Sequence, residues 1–172
     1  MSVGERETET RTSTYEDLAP LPYCLQVFKE AMRLYPPAYA FSRRALREVG
    51  IDGYRIPKGG VVLIAPYTLH RREEYFPDPE KFDPEHFTPE REKRLPRYAY
   101  LPFGAGPRIC IGMYFAMMEG HLLLATLAQR ASFSLVPGQA IEPDPGHHLA
   151  LRPAGAVNVV VKKRKYLSTR LC

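Results

Sequence analysis

The ten residues from Phe103 to Gly112, Phe-Gly-Ala-Gly-Pro-Arg-Ile-Cys-Ile-Gly, gather the chemistry of this sequence around one thiol, Cys110. The segment lies between a proline-rich stretch and an apolar run of helical spacing that begins near Ile111. A thiol at a helix N-terminus feels the positive end of the dipole and unpaired backbone N–H groups, and Arg108 two residues earlier adds positive charge. That setting favours the thiolate, the form that attacks electrophiles and ligates metals. Gly104, Gly106 and Gly112 remove Cβ atoms where the loop itself, or a flat cofactor, must approach closely.

Plainer readings compete. Taken singly, a cysteine beside a core helix is most often a small buried hydrophobe. A phosphate-binding loop would need Gly-Lys-Ser/Thr, which does not follow, and a dinucleotide fingerprint would need glycine where Ile109 stands. A cysteine nucleophile needs a histidine base, and nothing in the sequence places one beside Cys110. The three cysteines, Cys24, Cys110 and Cys172, are widely spaced and include no C-x-x-C pair, so neither a zinc site nor a redox dithiol is indicated.

The elements that position this segment can be read from periodicity. Residues 1–13 are polar and aperiodic and read as disordered, and Thr14 with Asp17 resembles a capping box opening a short helix. Apolar side chains at 24, 27, 28, 31, 34 and 35 predict a helix from Pro22 to Tyr35, stopped by Pro36-Pro37. Val49 and Ile51, then Asp52-Gly53, then Tyr54 and Ile56 predict a hairpin with a two-residue turn. Val61 to Ala65 reads as a short buried strand. From Tyr75 to Arg108 the pattern dissolves into proline, charge and scattered aromatics, a length that marks a functional connection or one held by other structure. A second helix is expected from about Ile111 to Arg130, apolar nearly all round and therefore a core helix. Val157 to Val161 reads as a last strand. Helices, short antiparallel strands and a long coil make the fold class α+β.

Composition narrows the function. A chain of 172 residues, 45% hydrophobic, suffices for one domain with a core. Its 17 prolines are roughly double the usual share. The net charge of +5 is confined to the end: five basic residues and no acidic ones follow Val161, and removing them from the 24 basic residues leaves 19 against 19 acidic. The body is neutral, residues 165–172 are a basic tail, and no nucleic-acid groove is expected. No stretch has the roughly 18–20 apolar residues of a membrane span. As written the chain reads as cytoplasmic, with an anchor on a preceding segment left open.

With these elements in place, the cysteine segment resembles the haem-binding signature of cytochromes P450, F-x-x-G-x-R-x-C-x-G, at Phe103, Gly106, Arg108, Cys110 and Gly112. The resemblance continues through Ala116 and Glu119. Upstream, Glu30 and Arg33 match the family's E-x-x-R motif, which alone would be a surface ion pair of a few tenths of a kcal/mol. PDPEKFDPEHF, residues 77–87, is similar to the family's meander, except that His86 stands where arginine usually completes a triad with Glu30 and Arg33. The ion pair is expected to survive there only if His86 is protonated, weakly and with pH dependence.

The resemblance, which covers about residues 14–164, implies the C-terminal part of the mainly helical P450 haem domain. It implies haem b with Cys110 as catalytic axial ligand, its thiolate favouring O–O cleavage. Phe103, Gly106, Arg108, Gly112, Ala116 and Arg43 would hold the cofactor, with Arg108 and Arg43 meeting the propionates and Arg44 a close competitor of Arg43. Glu30, Arg33 and His86 would be structural. Ala38, Tyr39, Ala40, Phe41 and Leu149 would line a pocket for a lipophilic small molecule, Tyr39 and Phe41 being equally readable as core. The activity implied is monooxygenation, with electrons from NAD(P)H through a reductase or ferredoxin. The distal helix that delivers protons to bound oxygen finds no counterpart, so the chain reads as truncated. The alternatives are a short non-catalytic haem-binding protein or an inactive gene fragment, and, least supported, a binding module using the basic tail.

On this reading the chain by itself is expected to show no monooxygenase turnover, because oxygen activation needs a dry distal site and a controlled proton supply. Product formed per electron consumed, compared with a version extended upstream, is the measure. Tightly coupled hydroxylation by the 172 residues would refute the expectation.

Overall fold

The computed structural model describes residues 21–144 and 150–164. Helix α1 runs Pro22–Leu34 with proline in its first turn, where the missing N–H costs nothing. It ends at Tyr35, whose N–H still reaches the Ala31 carbonyl, before Pro36-Pro37. Its inward face carries Cys24, Met32 and Leu34, but also Glu30 and Arg33, both fully buried. That face lies against the middle of the proline-rich coil, where Phe76, Phe87 and Ala99 complete the core.

The coil is shaped by prolines and caps rather than by ladders. Strand β1 (Phe41–Arg44), the hairpin β2 (Val49–Ile51) and β3 (Tyr54–Ile56), and β4 (Val61–Ile64) precede it. A one-turn helix α2 (Pro66–Leu69) leads into it. A 3-10 turn at Pro84–Phe87 is capped by Asp83, and α3 (Pro89–Glu92) is capped by Thr88. Another 3-10 turn, Gly106–Arg108, precedes the long helix α4 (Met113–Arg130). Strands β5 (Ala131–Leu135), β6 (Pro143–Asp144), β7 (Arg152–Pro153) and β8 (Val159–Lys163) follow. All four sheets of the described residues are antiparallel pairs: β1 with β4, β2 with β3, β5 with β8 and β6 with β7. The expected α+β mixture is what the chain forms.

The hairpin stands where the spacing predicts it, Ile51 facing Tyr54 across Asp52 and Gly53. Both turn residues have positive φ, 46° and 80°, as a type I′ turn requires. Three expectations need correction. The last strand begins at Val159, two residues late. Strand β4 is not a buried strand, since Val61 and Leu63 are exposed on one face of its two-stranded ribbon with β1. Helix α4 is not a core helix of this chain: only His121 and Ala125 are buried, while Tyr114, Phe115, Leu123 and Leu127 are exposed. Its apolar character runs nearly all round, but α1 and β5 cover only part of it. No helix among the described residues is long and apolar enough to cross a membrane. The expectations for residues 1–13 and 14–17, for Leu149 and for the tail 165–172 lie outside the described residues.

Helices α1 and α4 meet at Gly120, whose missing side chain admits the Phe28 ring. His121 beside it bonds through Nε2 to the Leu21 carbonyl at 2.9 Å, pinning the start of α1 to α4. A methyl group at position 120 would overlap the Phe28 ring. Gly120→Ala is therefore expected to destabilise by about 1–3 kcal/mol despite its better helix propensity. The denaturation midpoint checks this, and an unchanged or raised midpoint would show that the two helices separate without cost.

Candidate functional site

The cysteine loop is closed by its own backbone. Gly104 donates to the Leu101 carbonyl at 3.2 Å, and Cys110 donates to the Phe103 carbonyl at 3.0 Å. Gly104 and Gly106 both take φ of +71°, a conformation costly for any residue with a Cβ. The 3-10 turn Gly106–Arg108 then swings the chain so that Cys110 stands just before α4, its carbonyl accepting from Met113 at 3.3 Å. The helix thus opens at Met113 rather than Ile111. Cys110 is exposed and its thiol is free.

That thiol faces a cavity of about 440 Å³. Among the predicted residues, Ala38, Phe41, Arg43, Phe103, Arg108, Cys110 and Ala116 all line it, together with Met32 and Pro37. Arg43 lies over the Phe41 ring at 4.9 Å and Arg44 does not reach the cavity. Strand β1 explains the choice, because successive side chains leave opposite faces. Gly112 is close, as a Cβ there would sit 4.0 Å from the Cys110 sulfur. Gly106 instead lines a second cavity of about 500 Å³ that shares Phe103 and Gly104. Tyr39 and Ala40 line neither cavity. Tyr39 contributes a carbonyl that accepts from Tyr67 at 3.2 Å. The Pro37 carbonyl, at the start of this stretch, accepts from the Leu151 N–H at 2.8 Å.

A soft sulfur donor, apolar walls and two guanidiniums on one cavity suit a flat apolar iron cofactor with anionic arms. The residues present therefore fit haem.

The E-x-x-R pair is not a surface pair. Arg33 Nε and Nη2 bond both oxygens of Glu30 at 2.7 and 2.8 Å, with both side chains fully buried. The other three donors reach the carbonyls of His70 (2.9 Å), Pro79 (2.7 Å) and Lys81 (3.0 Å). All five guanidinium hydrogens are thus engaged. Glu30 also accepts from the Asp83 N–H at 2.8 Å. His86 lies in the same cluster, Nδ1 at 3.3 Å from Glu30 and Nε2 at 2.9 Å from the Pro77 carbonyl. Both partners are acceptors, and a ring bearing a single N–H can donate to only one of them at a time.

Two buried groups have no forewarning in the sequence. Tyr100 donates to the Lys29 carbonyl at 2.9 Å, and burial pushes its phenol well above the ordinary value. His70 is fully buried, and its Nε2 accepts from the Leu101 N–H at 2.7 Å. Neither belongs to a spaced motif, since each is held by backbone groups 31 or more positions away.

Burial lowers the His70 pKa from 6.5 to about 4. Between those values the unfolded chain binds a proton that the folded chain refuses, so stability is intact above pH 6.5 and falls as pH drops toward 4. The full loss is about 3 kcal/mol. His70→Gln should flatten this acid limb in a pH series of denaturation midpoints. Parallel limbs for the two proteins would exclude His70 as the group responsible.

Comparison with known proteins agrees with this geometry. The family model for Cytochrome P450 matches residues 3–160. Cyclooctatin synthase of Streptomyces melanosporofaciens is 44% identical over 143 residues, 83% of this chain and 31% of that protein. Cytochrome P450 4V2 of Homo sapiens is 41% identical over 155 residues, 90% of this chain and 29% of that protein. The structure described as retinoic acid bound cyanobacterial CYP120A1 superposes with a TM-score of 0.81 at 35% identity, covering 88% of this chain and 35% of that one. The chain spans about a third of the length of the relatives it matches.

Proposed function

Since the chain belongs to the cytochrome P450 family, we propose that residues 14–164 carry the cysteine-ligand side of a haem-thiolate monooxygenase acting on a lipophilic organic substrate. The observation that supports this most is the free, exposed thiol of Cys110 on the wall of a cavity that also holds Arg43 and Arg108.

Cys110 would ligate the iron, presented by a loop whose bond from Cys110 N–H to the Phe103 carbonyl fixes its backbone. Arg43 and Arg108 would pair with the propionates as bidentate donors. Phe103, Gly106, Gly112 and Ala116 would shape the cysteine side of the haem site, and Phe41 and Ala38 an apolar wall beside it. Tyr39, Ala40 and Leu149 would belong to the neighbouring substrate pocket. With haem seated, the apolar groups on this cavity would help to exclude water and so strengthen the charge interactions within the site. When bound, haem supplies the activation of O2 and transfer of one oxygen atom to an unactivated C–H bond. Its electrons would come from NAD(P)H through a reductase or ferredoxin. Glu30, Arg33 and His86 stay remote from the reacting atoms and hold the coil that carries the loop.

Haem added to the purified chain is expected to bind through Cys110. The reduced carbon monoxide complex should then show the strongly red-shifted Soret band of thiolate ligation, and Cys110→Ser should abolish it. A spectrum indifferent to that substitution would overturn the proposal.

A further inference from the structure

The ion-pair cluster and the cysteine loop are joined through one side chain. Arg33 donates to the carbonyl of His70 at 2.9 Å, and the ring of the same His70 accepts from the Leu101 N–H at 2.7 Å. The Leu101 carbonyl accepts from Gly104 at 3.2 Å, and the Phe103 carbonyl accepts from Cys110 at 3.0 Å. Hydrogen bonds thus run nearly without a break from the buried ion pair to the backbone of the proposed ligand.

The state of the ring supports a specific role for its acceptor. Because Nε2 accepts, Nδ1 carries the hydrogen, and Nδ1 is buried with no partner. A buried donor without a partner is costly, and a hydrocarbon ring of similar size would remove that cost. Such a ring would fill the space against Tyr100, whose ring lies 5.0 Å away. What it could not do is accept from Leu101, two residues before Phe103.

We propose that His70 is a positioning residue for the cysteine loop, anchoring it through the Leu101 N–H to the Glu30–Arg33 cluster and so setting where Cys110 stands relative to the haem iron. The part concerning iron rests on the haem-thiolate reading, whereas the anchoring of residue 110 does not.

The test compares the unsubstituted chain with His70→Phe, which keeps the ring and loses the acceptor, and His70→Gln, which restores an acceptor. Two readouts are taken: residue-resolved amide exchange, and the share of the reduced carbon monoxide complex showing the thiolate band. His70→Phe should speed exchange at Leu101, Gly104 and Cys110 about tenfold relative to amides in the middle of α4, the effect of losing one net hydrogen bond. It should also lower the thiolate share, and His70→Gln should recover both. A purely packing role would leave the phenylalanine variant normal, and that result overturns the proposal. Should His70→Phe not fold, the unsubstituted chain decides: the amides of Leu101 and Cys110 should open together, and independent opening refutes the anchor. Should Cys110→Ser leave the spectrum unchanged, the haem-thiolate reading fails while the exchange data still judge His70.

Discussion

Arg33 places all five of its donors inside the protein, two on Glu30 and three on the carbonyls of His70, Pro79 and Lys81. A buried ion pair of this kind is poor value as stabilisation alone, because desolvation offsets most of the attraction. Its worth lies in what it specifies. Three carbonyls from an irregular, proline-rich segment would otherwise have no ladder to join, and Arg33 gives each a defined place. Removing either partner would leave a buried charge uncompensated, at about 3–5 kcal/mol.

From that point the structure radiates outward. Glu30 takes the Asp83 N–H and His86, which sets the 3-10 turn carrying Phe87. Phe87 packs at a tilt against Tyr100, ring centres 4.7 Å apart, and Tyr100 returns a hydrogen bond to α1 at Lys29. The segment between Tyr100 and Cys110 is thereby held at its start by side chains and at its end by α4. Its glycines permit the two left-handed turns that bring the thiol round to face Arg43 on β1. Precision at the cavity derives from backbone bonds to buried side chains rather than from any extended sheet.

What was legible beforehand follows from the range of each signal. The cysteine loop, α1 and the Asp52-Gly53 hairpin are written in local spacing and turn chemistry, and each formed where expected. Arg43 and Arg44 are indistinguishable by spacing, and only the folded chain shows Arg43, not Arg44, on the wall of the cavity. The exposure of α4 and of β4 was misjudged because an apolar pattern records what a surface is suited to contact, not whether this chain supplies the contact. His70 and Tyr100 were invisible because their partners are backbone groups of distant segments, and no residue type announces a carbonyl. Glu30 and Arg33 were recognised as a motif, but their spacing alone would equally describe a solvated pair.

The reach of Arg33 also bears on how the chain comes together. Its three carbonyl acceptors stand 37, 46 and 48 positions away, so helix α1 can form early but cannot bury its inner face until the coil has returned to meet it. A collapse that sealed α1 ahead of that return would trap a guanidinium with unmet donors. Docking α1 therefore requires long loops to close, an entropic cost that local helix formation does not carry. The same side chain that orders the finished coil also discriminates among compact arrangements, since any that leaves one of its hydrogens unanswered in the interior carries the cost of a buried, unpaired charge donor.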